Sequence, residues 1–320
     1  MSVTTVSRAL NDKGELAAHQ RQRVLAIARR LHYVPSSAAR TLVSGRSRTL
    51  GVIVNDNTSP VYAQVLAGIE ETANARGFGL VFANSANSQE QALRCLDNLI
   101  GNHVDGVLLT PVQTDDRDLK RLQRAGVPFV LLLRHFDDLG TDFVAADNVT
   151  AGRIATRHLV ETGYRRVAFV GGPEHTSTSR LRGQGYREAL EAAGLGWDPE
   201  LEVHAEFSVE GGRAAARRLL ALKPRPDAIF ASTDLQAVGV LKAARELGVG
   251  VPDQLALVGG DDIELSEFLE PPLTTFSQRG REIGALGTQI LLDRLDGDRQ
   301  PVRQVRLEPR LVIRRSCGCR

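Results

Sequence analysis

The chain has 320 residues, 24% of them charged and 42% hydrophobic, a mixture that fits folded globular domains and excludes wholesale disorder. No apolar run approaches the ~18–20 residues of a membrane span, and MSVTTVSRALNDKG lacks the apolar core of a secretory leader. Three cysteines are too few for a disulfide scaffold and fit a reducing cytoplasm.

The formal net charge of +2 conceals an asymmetry, because residues 1–48 carry nine Lys or Arg against two acids while the remainder is mildly acidic. A short basic head on an acidic body points to a polyanion as the partner of the head alone. Within the head, Val3, Val6, Ala9 and Leu10 fall at helical spacing behind Ser2, a suitable N-cap. Asn11, Asp12 and Gly14 break that helix, and a second one is expected from Ala18 to about Leu31. Val24, Leu25, Ala28 and Leu31 mark its apolar face. Ala17 stands at its start and cannot cap it, at a cost of about 1 kcal/mol. After Tyr33-Val34-Pro35, residues 37–43 read as a third helix too short to be stable alone in water.

From Thr49 the rhythm changes to apolar strand runs alternating with amphipathic helices. Strands are expected at 49–54, 79–84, 106–110, 128–133, 166–172, 201–206, 228–232 and 255–260. Helices fall near 60–76, 88–100, 115–125, 150–162, 179–193, 209–221 and 235–247. Such alternation predicts an α/β fold of two doubly wound parallel-sheet lobes preceded by a small all-α head. Ligand sites in these folds lie beyond the carboxyl ends of the strands, here in a cleft between lobes.

The head also carries a motif. A helix that reads the major groove needs small polar residues and an Arg on its exposed N-terminal side. SVTTVSRALN fits the pattern V-S-x-x-T-V-S-R-x-L-N from its second position on, and YVPSSAARTL at 33–42 fits Y-x-P-x-x-x-A-R-x-L. Together, and in this order, they resemble the LacI family of bacterial transcription regulators, a resemblance that extends over essentially the whole chain.

The resemblance implies a periplasmic-binding-protein-like effector domain and a sequence-specific, ligand-controlled DNA-binding repressor. Its domains are a partial helix-turn-helix head at 1–34 and a hinge helix and linker at 35–48. The first effector lobe takes 49–147 plus 279–307, and the second 148–278 plus 308–320. Val3, Thr4 and Arg8 match base-reading positions; Ser2, Thr5, Ser7 and Asn11 match phosphate contacts. Leu42 matches a minor-groove wedge, with Ala39 and Arg40 beside it. For the effector, Tyr62, Phe207, Arg182, Thr178, Asp261 and Thr233 match cleft positions, and Arg134 and Asp147 lie at strand ends facing the same place. Gly260 stands where the family usually has an aromatic. The implied effector is a sugar or sugar acid, an acidic sugar being favoured because Arg134 and Arg182 outnumber Asp261. A purine is the chemical rival. The implied partners are a near-palindromic operator and a second copy of the chain, as a homodimer or tetramer, with no membrane.

The family's first helix, of the D-V-A-x-x-A-G type, has no counterpart here, and Met1 stands where Val or Ala is usual. The expectation is a start codon assigned too late, and weak operator binding by the 320-residue form. Two rivals remain: a ligand-binding dimer without DNA binding, and a solute-binding protein of transport. No enzyme is expected, since the phosphate-loop, dinucleotide, nucleophile-elbow and zinc-protease motifs are all missing. No cofactor or metal is expected either: Cys317-Gly318-Cys319 reads as a pair of reduced thiols, with Cys95 remote in sequence.

Overall fold

The computed structural model describes residues 3–10, 17–31 and 46–319. It divides into two units, Met1–Arg48 and Thr49–Arg320. In the first, helix α1 (Val3–Leu10) packs on α2 (Ala18–Arg30). Ala9 and Val24 are the residues buried there among those described. Ala17 precedes α2 and makes no side-chain cap.

The second unit contains two parallel sheets. Strands β1 (Thr49–Val54), β2 (Gly79–Asn84), β3 (Gly106–Leu109), β4 (Phe129–Leu132), β5 (Phe143–Ala146) and β11 (Gln304–Leu307) form one, in the order β11-β5-β4-β3-β1-β2. Strands β6 (Val167–Gly171), β7 (Glu202–His204), β8 (Ala228–Ala231) and β9 (Ala256–Val258) form the other, in the order β7-β6-β8-β9. The antiparallel pair β10 (Thr275–Ser277) and β12 (Arg310–Val312) is joined to the end of β9 through bridges from Val258 to Thr274 and from Asp261 to Ser277.

Alternation along β1 shows why both faces need helices. Val52 and Val54 point into a core shared with α3 (Pro60–Ala75) and α10 (Gly280–Leu295), while Ile53 points the other way, toward α4 (Gln89–Gly101) and α5 (Arg117–Ala125). The second sheet is covered on one face by α6 (Asn148–Thr162) and α7 (Ser177–Ala192). Its other face carries α8 (Val209–Leu220) and α9 (Asp234–Glu246).

Three helix pairs cross on glycines. A Cβ on Gly68 would sit 1.9 Å from the Arg281 carbonyl oxygen, and one on Gly284 2.0 Å from that of Val65, so α3 and α10 touch backbone to backbone. Gly152 and Gly185 do the same for α6 and α7, and Gly212 and Gly239 for α8 and α9. Such contacts bring the helix axes closer than larger residues allow. Among the described residues no helix is long and apolar enough to cross a membrane.

Candidate functional site: a cleft at the strand ends

The carboxyl ends of both sheets open onto one cavity of about 120 Å³. Local chemistry fixes the loops that line it. Thr176, Ser208 and Thr233 cap α7, α8 and α9 through hydrogen bonds from the backbone N–H groups of Ser179, Gly211 and Gln236. Leu133 and Asp261 have φ of 65° and 121°, left-handed values that L residues rarely adopt and that cluster at ligand sites.

Arg182 is the most constrained side chain of the cavity, fully buried on α7. Its Nε donates to Asn148 Oδ1 at 2.9 Å, and its Nη1 donates to the Ser232 carbonyl and lies 3.7 Å from Asp261 Oδ1. The guanidinium also rests over the Phe276 ring at 4.8 Å. Burial pushes its pKa down to about 10, which leaves it charged at neutral pH. Nη2 has no hydrogen-bond partner among the described residues, and the same holds for Asn148 Nδ2 and Ser232 Oγ beside it. Buried donors of this kind call for a partner from outside the chain.

Asp261 accepts from Gln278 Nε2. Asp234 organises the loop behind it: its carboxylate accepts from Ile263 N–H at 2.9 Å, Ser266 Oγ at 2.7 Å and Thr275 Oγ1 at 2.6 Å. Burial raises the pKa of both carboxyls, and their mutual repulsion raises that of Asp261 further. A raised pKa means that the folded chain holds the proton more tightly than the unfolded chain. The stabilisation from this is therefore complete below the ordinary carboxylate range and is lost as pH climbs through the raised values. Urea unfolding of the wild type and of Asp261→Asn between pH 5 and 8 checks this. The variant should gain on the wild type as pH rises, and a pH-independent difference would show that Asp261 ionises normally.

Other expected residues also reach the cavity. Tyr62, Arg134, Thr178, Phe207 and Thr233 line it with Arg182 and Asp261. Burial raises the Tyr62 phenol and lowers the Arg134 guanidinium. Arg134 makes no ion pair with Asp137, which pairs with Arg180 at 2.6 Å; instead it lies over the Phe207 ring at 5.5 Å. Gly172 makes room for that ring, since a Cβ there would lie 2.0 Å from Phe207 Cζ. The Thr233 hydroxyl is engaged with Gln236.

Asp147 is elsewhere. Its carboxylate caps α6, accepting from Thr150 N–H at 3.0 Å and Thr150 Oγ1 at 2.8 Å, so it is not free to face a ligand. Sequence reasoning missed Asp56, Asn87, Glu206 and Gln278, all of which line the cavity. Asp56 and Glu206 follow the ends of β1 and β7, the same positional signal that pointed to Arg134. They also correct the charge reading. With Asp56, Glu206 and Asp261 beside Arg134 and Arg182, cations no longer outnumber acids, and the case for an anionic ligand lapses.

Polar links join the two sides of the cleft. Gln113 Oε1 accepts from Ser177 N–H at 2.9 Å, and Gln64 Nε2 donates to the Asp262 carbonyl at 3.0 Å. In the head, Thr5 is half-buried and Arg8 exposed on α1. The side chains of Val3, Thr4 and Ser7, and all of Ser2, Asn11, Ala39, Arg40 and Leu42, lie outside the described residues.

Comparison with known proteins agrees with both halves. Residues 1–36 match the bacterial regulatory proteins of the lacI family, and residues 156–317 match a periplasmic binding protein-like domain. The HTH-type transcriptional regulator CelR of Thermobifida fusca is 38% identical, over 98% of this chain and 94% of its own. The solved complex of transcriptional regulator CelR with cellobiose superposes with a TM-score of 0.81 at 35% identity, covering 99% of this chain and 96% of that one. The lac repressor dimer bound to operator and the anti-inducer ONPF gives 0.89 at 26% identity, over 100% of this chain and 96% of that one. With a matching head, a matching effector domain and relatives aligned almost end to end, the chain belongs to the LacI family of DNA-binding transcriptional regulators.

Proposed function

We propose that the cleft binds a neutral sugar and that its occupancy controls repression of a near-palindromic operator by a cytoplasmic homodimer. The observation that carries the reading is Arg182, a buried guanidinium whose Nη2 has no partner among the described residues, in a cavity that pairs an aromatic face with scattered polar groups. A sugar ring offers the matching surface, one apolar face and a belt of hydroxyls. Phe207 supports the ring face, while Arg182, Gln278 and Asn87 suit hydroxyls. A purine would ask for flat apolar contact on both faces, and the other groups lining the cavity are largely polar or charged. The relative solved with cellobiose makes neutral β-linked glucosides the first compounds to try. The cleft is assigned no catalysis.

In this reading ligand binding redistributes the polar links across the cleft, such as Gln113 to Ser177 and Gln64 to Asp262. In the same reading Val3, Thr4 and Arg8 meet bases, Ser2, Thr5, Ser7 and Asn11 meet phosphates, and Leu42, with Ala39 and Arg40, enters the minor groove. A thermal-shift screen of neutral sugars, sugar acids, sugar phosphates and purines tests the ligand class. Stabilisation should follow RT ln(1 + [L]/Kd) for neutral sugars, and a response to purines alone would overturn the reading. Leu42→Ala should leave sugar binding unchanged but reduce operator affinity and bending, measured by the mobility of circularly permuted duplexes. Unchanged bending would remove Leu42 from the wedge role.

A further inference from the structure

The carboxyl-terminal strand β12 runs into Ser316-Cys317-Gly318-Cys319. This segment folds onto the C-terminal turn of α6, where His158 and Thr162 meet it. Cys319 Sγ lies 3.4 Å from His158 Nε2 and 3.3 Å from Thr162 Oγ1. Cys317 is fully buried, and its sulfur, that of Cys319 and one nitrogen of His158 all fall within 4.8 Å of one another. Nothing in the effector cleft uses these three groups.

We propose that Cys317, Cys319 and His158 form a Zn²⁺ site with three protein ligands and one open position for water. Two thiolates and one imidazole are a donor set that zinc takes, and soft sulfur ligands select it over magnesium or calcium. The spacing suits the ion: Zn–S and Zn–N bonds at a tetrahedral angle put sulfur and nitrogen about 3.5 Å apart. The measured 3.4 Å between Cys319 Sγ and His158 Nε2 therefore already has the length of one edge of the coordination tetrahedron. The two thiolates would neutralise the divalent charge, so the ion can sit in this half-buried place without a further acid. The site joins the chain's last residues to α6, the helix whose first residue, Asn148, holds Arg182. Bound zinc would thus brace the helix that positions the cleft arginine, as a structural staple distinct from the effector site.

The test uses the full chain, purified under reducing conditions, stripped of metal and titrated with Zn²⁺ or Co²⁺. One ion per chain is expected, with a thiolate-to-cobalt charge-transfer absorption and a rise in melting temperature with zinc. Cys319→Ser and His158→Gln, each at a partly exposed position, should both abolish the absorption and the stoichiometric binding. If metal-free His158→Gln protein melts like the metal-free wild type but has lost the zinc-dependent rise, loss of folding is excluded as the cause. No cobalt absorption in the wild type would overturn the site. So would ion binding that survives either substitution, or cysteines that react with a thiol reagent as fast with zinc as without it.

Discussion

Replacing Arg182 with methionine should cost the protein both its ligand and a large part of its stability. The guanidinium is held by Asn148, the Ser232 carbonyl, Asp261 and the face of Phe276. Removing it strands Asp261 in the interior, and breaking one side of a buried pair costs about 3–5 kcal/mol. Asp261 can soften that loss by taking a proton, since burial already favours its neutral form. The penalty should therefore be smaller at pH 5 than at pH 8, a difference that urea midpoints at the two values would reveal. Ligand affinity should fall by about one to two orders of magnitude, the worth of a charge-assisted hydrogen bond of about 1.5–3 kcal/mol. Arg182→Lys keeps the charge and loses the planar fork, so it should recover stability better than affinity. Equal sugar affinity in wild type and the methionine variant would make Arg182 a packing residue only.

A second large effect is expected from a residue that touches no ligand. Gly152→Val on α6 would place its Cβ 2.1 Å from the backbone oxygen of Arg182. Neither backbone can yield without separating α6 from α7, so the variant should lose at least about 1–3 kcal/mol, as overpacked cores do. The displaced helix α7 carries Arg182, so sugar affinity should fall with stability. Gly101→Ala is the matched control, since nothing lies within 4 Å of a Cβ there. It should be neutral or stabilise the protein by about 0.5–1 kcal/mol, the usual gain of alanine over glycine in a helix. Melting temperatures and sugar titrations of the two variants separate crowding at α6 from a general intolerance of helix glycine replacement.

The elements that sequence reasoning located well are those with a strong local signal. TLGVIV at 49–54 is a strand at those residues because a parallel strand covered by helices reads as a nearly continuous apolar run, and GLVFAN at 79–84 is a strand too, although it lies at the sheet edge with Val81 and Phe82 exposed. Helix α10 was harder to see. Gly280, Gly284 and Gly287 lower its helix propensity, yet Gly284 is what allows the close crossing with α3. Strands β10 and β12 are three residues each, too short for a periodicity to register. In the cleft, Arg182, Asp261 and Phe207 were legible through the family motif, and their neighbours Asp56 and Glu206 were not. Asp147 misled because an acid at a strand end is equally an N-cap for the next helix, and Thr150 three residues later completes that cap. His158 and Cys319 are 161 residues apart, so no local pattern could pair them.

If cleft occupancy controls repression as proposed, Arg182 should link it to DNA affinity. Fluorescence anisotropy of a labelled duplex, selected by the protein from a random pool and titrated with and without saturating sugar, measures that linkage directly. The sugar should shift the DNA Kd at least tenfold in the wild type, and the same sugar concentration should leave the Kd of Arg182→Lys nearly unchanged. A sugar that binds the wild type, as calorimetry would show, yet leaves its DNA Kd unaltered would contradict that linkage.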